Sequence, residues 1–177
     1  MVNKTTNIFA CLVYMELTGF GGSCHWCTEA IFRSLRGVEK VEQGWIATDG
    51  DGKDFSEAVI VHYEPAIISL PTLIEVHLYT HSCTAQHSMR DKYRSAIYTF
   101  NDTQSVTAKK AINDLQAEFK EPIITKVIPF GEFKLNEEQY LDYYYRDPDK
   151  PFCRNIIYPK LQLLLRQFGD RIGPGIR

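Results

Sequence analysis

The chain has 177 residues, 44% apolar and 24% charged, a length and balance that suit one globular domain with a real core. A formal net charge of −2 offers no basic field of the kind that nucleic acid or an anionic membrane surface requires. Five cysteines, at positions 11, 24, 27, 83 and 153, cannot all pair, and their uneven spacing argues for a reducing cytosol over a secreted disulfide scaffold.

The apolar run 8–15 is short and closed by Glu16, without a basic leader or a small-residue cleavage site. It reads as neither signal peptide nor membrane span. Residues 1–14 read as an extension ahead of a single-domain core over about 15–168. A first strand ends at 17–20, and a helix follows over 24–35, with Ala30, Ile31 and Leu35 at helical spacing and Gly37 as its stop. Strand 38–47 precedes a Gly/Asp-rich turn at 48–54. The run 58–63 is apolar and β-branched, the composition of a central strand. Ser69 caps a helix with Pro71 in its first turn, reaching about Thr80. An irregular loop over 81–92 leads to a strand over 94–100.

That order, β-α-β-β-α-β, predicts an α+β, ferredoxin-like two-layer sandwich with a mainly antiparallel sheet and helices on one face. Beyond it the chain predicts a helix over 103–119 opened by Asn101 or Asp102, a strand over 123–130 and a short helix over 136–145. A loop over 147–153 then precedes a last helix after Pro159, and a frayed tail starts at Gly169. No repeat or low-complexity linker divides the chain.

Chemistry concentrates where the first strand ends in glycines, in Gly19-Phe20-Gly21-Gly22-Ser23-Cys24-His25-Trp26-Cys27-Thr28-Glu29. Thiolate is the nucleophilic form, and a free cysteine near pKa ~8.5 is only slightly ionised at pH 7. A helix N-terminus, with unpaired N–H groups and a partial positive charge, favours the anion at Cys24. Glycines let the chain turn and leave the sulfur open.

Those residues resemble the Gly-Cys-Phe-Trp-Gly-x-Glu signature of the A-type peptide methionine sulfoxide reductases, and three further segments agree in order. Glu57-Ala58-Val59-Ile60-Val61-His62-Tyr63-Glu64-Pro65 is similar to that family's Glu-Ala-Val-x-Val-x-Tyr-Asp-Pro strand. Tyr93-Arg94-Ser95-Ala96-Ile97-Tyr98 is similar to its Gln-Tyr-Arg-Ser-Ala-Ile-Tyr segment, and the stretch from Tyr145 to Pro159 to its Asn-Pro-x-x-Tyr-Cys segment. The resemblance spans about 17–168. It implies that Cys24 attacks the sulfoxide sulfur and that Glu57, its carboxyl raised by burial, and Tyr93 supply protons to the sulfoxide oxygen. It further implies that Trp26 walls the pocket for the S-methyl group. The sulfenic acid left on Cys24 is then resolved by Cys153, and thioredoxin reduces the disulfide. No metal or organic cofactor is implied. The expected protein is a cytoplasmic monomer, with oxidised methionine in proteins or peptides as substrate and neither nucleic acid nor membrane as partner.

The departures from the pattern carry their own expectations. His25 stands where the family has phenylalanine and makes the methyl pocket more polar on one side. Cys27 replaces a glycine and offers a second, local resolving thiol. The segment between Gly44 and Glu57 is short and lacks a family tyrosine, for which Trp45 is a distant stand-in. Asp91 is the candidate for the family's buried aspartate. Two other readings of the same residues stay open: a thioredoxin-like disulfide oxidoreductase using Cys24-His25-Trp26-Cys27, and a non-enzymatic redox or metal-sensing module. In the second, His81, Cys83 and His87 could join Cys24 and Cys27 around zinc, although that spacing matches no standard zinc motif.

Overall fold

The computed structural model describes residues 14–48 and 54–173. Cys11, the N-terminal extension up to residue 13 and most of the expected turn at 48–54 lie outside them. The five strands are β1 (Glu16–Gly21), β2 (Val38–Thr48), β3 (Ser56–Tyr63), β4 (Ala96–Thr99) and β5 (Lys126–Leu135). The helices are α1 (His25–Arg33), α2 (Leu70–Thr80), α3 (Asp102–Leu115), α4 (Tyr143–Arg146) and α5 (Tyr158–Phe168).

The open ferredoxin-like sandwich expected from the element order is not what forms. The strands close into a five-stranded barrel in the order β1-β3-β2-β5-β4. Four of its five contacts are antiparallel, and β4 with β5 is parallel. The physical reason is β5. It lies beyond the β-α-β-β-α-β unit and pairs with β2 on one side and β4 on the other, so both edges of the four-stranded sheet are consumed. β5 also continues to Leu135, five residues past its expected end, across an irregular register at Ala47/Thr48.

Alternation along the strands divides the apolar side chains into two cores. Ile46, Ala58, Ile60, Ala96 and Tyr98 fill the barrel. Gly19 makes room there, because a Cβ on it would lie 2.9 Å from Tyr98 Cβ. Phe20, Val59, Val61 and Ile97 point outward into a larger core with Ile31, Phe32, Leu73, Ile74, Leu161 and Leu164 from the helices. Each such fully buried side chain is worth roughly 1.5–3 kcal/mol.

Smaller differences have local causes. The helix expected over 136–145 reduces to a short 3-10 turn, Glu138–Tyr140, and the four-residue α4, separated by extended Leu141 and by Asp142 at φ 60°. The last helix begins at Tyr158, one residue before Pro159, behind a π-helical turn, Cys153–Ile157. The stretch from Gly169, expected to fray, stays bound through Gly173: Ile172 pairs with Leu35, and the Gly173 N–H donates to the Ser34 carbonyl at 2.8 Å.

Two histidines of the α2 end lock the turn between β1 and α1. His77 Nε2 lies 2.9 Å from the Gly21 carbonyl, and the His81 ring stacks on that of His77 at 4.0 Å. Gly22 has φ 145°, and a Cβ on it would fall 2.6 Å from His81 Cδ2. His81 donates from Nδ1 to the His77 carbonyl, and its Nε2 faces the Ser95 hydroxyl. Burial pushes the His81 imidazole down to about 4, with Arg90 and Lys160 adding to it. The unfolded chain therefore takes up this proton near pH 6.5 and the folded chain only near pH 4. Stability carried by neutral His81 is complete above pH 6.5 and is lost as pH falls towards 4. Glu29, raised to about 7 by burial, acts in the opposite sense as pH rises from 4.5 to 7, so a difference between variants isolates the histidine. Urea unfolding at pH 7 and 4.5 should find the protein losing about 2 kcal/mol more than His81→Gln. Equal losses would remove His81 from the acid sensitivity.

Candidate active site

Cys24 is the residue on which α1 begins. Its backbone is non-helical (φ −51°, ψ 129°), and its carbonyl accepts the N–H groups of Cys27 and Thr28 at 3.1 and 3.2 Å. The glycine turn locked by His77 and His81 delivers the chain to this position, leaving Cys24 half-buried. Cys27, one turn on, faces inward and is buried. The neighbouring Cys27 thiol first, then burial, pushes Cys24 up, while the Trp26 main-chain N–H pulls it back. The Cys24 thiol pulls Cys27 down against its own burial. The stabilised anion expected at Cys24 from the helix terminus is therefore outweighed, and the second sulfur and burial hold Cys24 as the thiol.

Glu57 lies on β3 with the outward-facing Val59 and Val61, and register sets it opposite Trp45 of β2. This seats it against the first turn of α1, where it is buried (6% exposed). The His25 main-chain N–H reaches its Oε2 at 3.2 Å, and His25 Nδ1 lies 3.5 Å from the same oxygen. Lys92 Nζ lies 3.2 Å from Oε1. Lys92 Nζ also lies over the Tyr93 ring, 5.1 Å from its centroid, and Tyr93 first and Glu57 second raise its ammonium, so Lys92 stands between the phenol ring and the carboxyl. The Glu57 main-chain N–H also donates to the Lys92 carbonyl at 2.9 Å, joining the two segments.

Trp26 is covered rather than open. Tyr143 stacks on it at 4.0 Å and 4°, Phe152 meets it edge-on at 5.6 Å, and Tyr140 lies at 6.1 Å. The residues around α4 therefore form a wall over the indole. Cys153 is fully buried in the same core as Cys27, on the π-helical turn. Burial pushes its thiol up, with Cys27 contributing in the same direction.

Cys24, Cys27, His25, Trp26 and Glu57 are thus brought together, Tyr93 joins through Lys92, and Cys153 sits behind Cys27. Asp91 is exposed and lines a groove of about 630 Å³ with Trp45, Phe55 and Arg94. The residues considered for zinc do not converge: His81 is turned onto Ser95, Cys83 is buried in the helix-side core, and His87 is exposed. Among the described residues no three His, Cys, Asp or Glu side chains are grouped to hold a metal ion. Three neighbours were missed from sequence. The signal for Lys92 was its place directly before Tyr93. Gln43, inside the expected strand 38–47, and Asn136, at the start of the expected helix 136–145, gave no sign of joining each other and His25 in one row.

The comparisons with known proteins point to one family. The family model described as peptide methionine sulfoxide reductase matches residues 16–171. The chain is similar to peptide methionine sulfoxide reductase MsrA 1 of Rhodopirellula baltica, 33% identical over 171 residues and covering 89% of each chain. It is also similar to MsrA of Chromobacterium violaceum, 34% identical over 170 residues, covering 87% of this chain and 97% of that one. Among solved structures, Mxr1 from Saccharomyces cerevisiae in reduced form has TM-score 0.70 at 22% identity, covering 78% of this chain and 89% of the other. Methionine sulfoxide reductase A of Corynebacterium diphtheriae has TM-score 0.65 at 22% identity, covering 76% of each. The two solved structures bear on the fold alone.

Proposed function

The chain belongs to the peptide methionine sulfoxide reductase family, and we propose that it reduces methionine S-sulfoxide, free or in peptides, through a Cys24 sulfenic acid. The observation that carries this reading is the Cys24 thiol at the start of α1, with a second cysteine in the helix's first turn and a buried carboxyl that accepts the next residue's N–H. Cys24 Sγ, half-exposed, gives up its proton to solvent and attacks the sulfoxide sulfur as the thiolate. The sulfoxide oxygen is a poor leaving group until protonated. Glu57 delivers that proton, and Lys92 and Tyr93 stand on its exposed side. Methionine departs, and the oxygen stays on Cys24 as S–OH.

The sulfenic acid then condenses with a thiol to give a disulfide and water. Cys27 is the better placed partner, since it lies in the first turn of the helix that Cys24 opens, while Cys153 sits on a separate turn in the core behind it. Thioredoxin is the proposed reductant, and Mxr1 of Saccharomyces cerevisiae has been solved in complex with Trx2. The odd cysteine count suits a reducing cytosol as the place of action. Asp91 and the groove beside Trp45 are the proposed contacts for the substrate's flanking residues.

Reduction of peptide methionine S-sulfoxide with dithiothreitol tests the activity, and no methionine formed would end the reading. The resolving step has its own test. Cys27→Ser should release one equivalent of methionine and then stall, while Cys153→Ser should continue to turn over with thioredoxin. The reverse pattern would assign resolution to Cys153.

A further inference from the structure

His25 belongs to a buried row of polar groups whose direction is set at both ends by the main chain. Asn136 Oδ1 accepts the Glu137 N–H at 2.9 Å, so its Nδ2 is the atom facing His25 Nε2 at 3.3 Å and Gln43 Oε1 at 3.1 Å. Gln43 Nε2 in turn donates to the Tyr140 carbonyl and to Glu29 Oε2, both at 2.7 Å, which leaves its Oε1 as the acceptor for Asn136. Both amide orientations are therefore determined, because a carbonyl can only accept and an N–H can only donate.

The consequence for His25 is a single tautomer. Its Nε2 must offer a lone pair to Asn136, so the proton of the neutral ring sits on Nδ1. Burial holds the imidazole below its ordinary range and keeps it neutral at pH 7. That Nδ1 lies between two acceptors, the Gly44 carbonyl at 3.4 Å and Glu57 Oε2 at 3.5 Å. The ring is held edge-on against Trp45 at 5.4 Å and Trp26 at 5.9 Å. The main-chain N–H of the same residue reaches Glu57 Oε2 as well. The Nδ1–H is hydrogen-bonded to the Gly44 carbonyl, so Oε2 takes its hydrogen bond from the main-chain N–H, while the other carboxyl oxygen, Oε1, faces Lys92.

We propose that His25 is a positioning residue for the reduction: with its tautomer set by Asn136 and its Nδ1–H given to the Gly44 carbonyl, its ring fixes the start of α1 and with it the main-chain N–H that holds Glu57 by Oε2. The proposal rests on the reading of Glu57 as proton donor to the sulfoxide. A phenylalanine at this position offers the main-chain N–H but neither of the ring's two anchors. The ionisable groups facing Glu57 are His25, Lys92 and the Cys24 and Cys27 thiols.

Two measurements test it. The ¹⁵N resonances of the His25 ring should report a protonated Nδ1 and an unprotonated Nε2, and Asn136→Asp, which puts an acceptor before Nε2, should move the proton to Nε2. In steady-state reduction of methionine sulfoxide with dithiothreitol, His25→Phe and Asn136→Asp should each lower kcat by ~10-fold or more, the scale of a misaligned reacting group. KM should stay within about twofold, because the ring holds the acid and not the substrate. A wild-type ring protonated on Nε2, or a His25→Phe protein with the wild-type kcat, would overturn the proposal. A wild type that reduces no sulfoxide would instead overturn the reading beneath it, and the ring resonances would still decide the tautomer.

Discussion

Cys24→Ser is expected to abolish methionine formation, a loss of ~10⁴-fold or more in single-turnover rate. The size follows from the chemistry rather than from position alone. Sulfoxide reduction needs an atom that gives up two electrons and takes over the oxygen, and sulfur does this as a sulfenic acid. A serine oxygen in the same place would have to form a peroxide bond, and its hydroxyl is also far less acidic. The serine side chain is close in volume, so α1 should still begin at position 24 and the fold should survive, which circular dichroism would check. Because Cys27 lies in the first turn of the same helix, the variant also asks whether the second sulfur can substitute. Its buried position argues that it cannot. Methionine formed by Cys24→Ser at more than a trace would transfer the nucleophile's role to Cys27.

Glu57→Gln is expected to slow the chemical step by ~100-fold or more, the usual range for removing a general acid. The amide has no acidic proton to give. Its orientation is constrained too: the His25 main-chain N–H selects the amide oxygen for the Oε2 place, which turns the NH₂ towards the Lys92 ammonium, donor against donor. The loss should therefore appear in kcat measured by rapid quench, with substrate binding little affected. An unchanged rate would remove Glu57 from proton transfer and leave Lys92 and Tyr93 as the sources.

What was legible in the sequence was local. The glycines before Cys24, the helical spacing of Ala30, Ile31 and Leu35, and the Ser69 cap with Pro71 each act within a few residues of one another. The structure keeps the glycine turn and the Ser69 cap, whose hydroxyl accepts the Thr72 N–H at 3.3 Å, while α1 stops at Arg33, two residues short of Leu35, which instead pairs with Ile172. The β-branched run of β3 likewise made it a strand paired on both sides, with β1 and β2. The barrel was not legible, because its closure depends on β5 meeting β2 and β4 from far along the chain. Nothing local in Lys126–Leu135 says which edges it will join. Trp26 could be read as a pocket wall from its motif, but not as a wall covered by Tyr143 and Phe152, more than a hundred residues away. Lys92 and Asn136 were missed for the same reason: each enters the site through a partner brought by folding.

The most direct test of the central claim is to mix the reduced protein with excess methionine S-sulfoxide in the absence of any reductant and follow both products. Methionine should appear at one equivalent per chain, and peptide mapping should find the chain lighter by two hydrogens with Cys24 joined to Cys27. Methionine appearing while Cys24 is recovered as a free thiol would contradict the account.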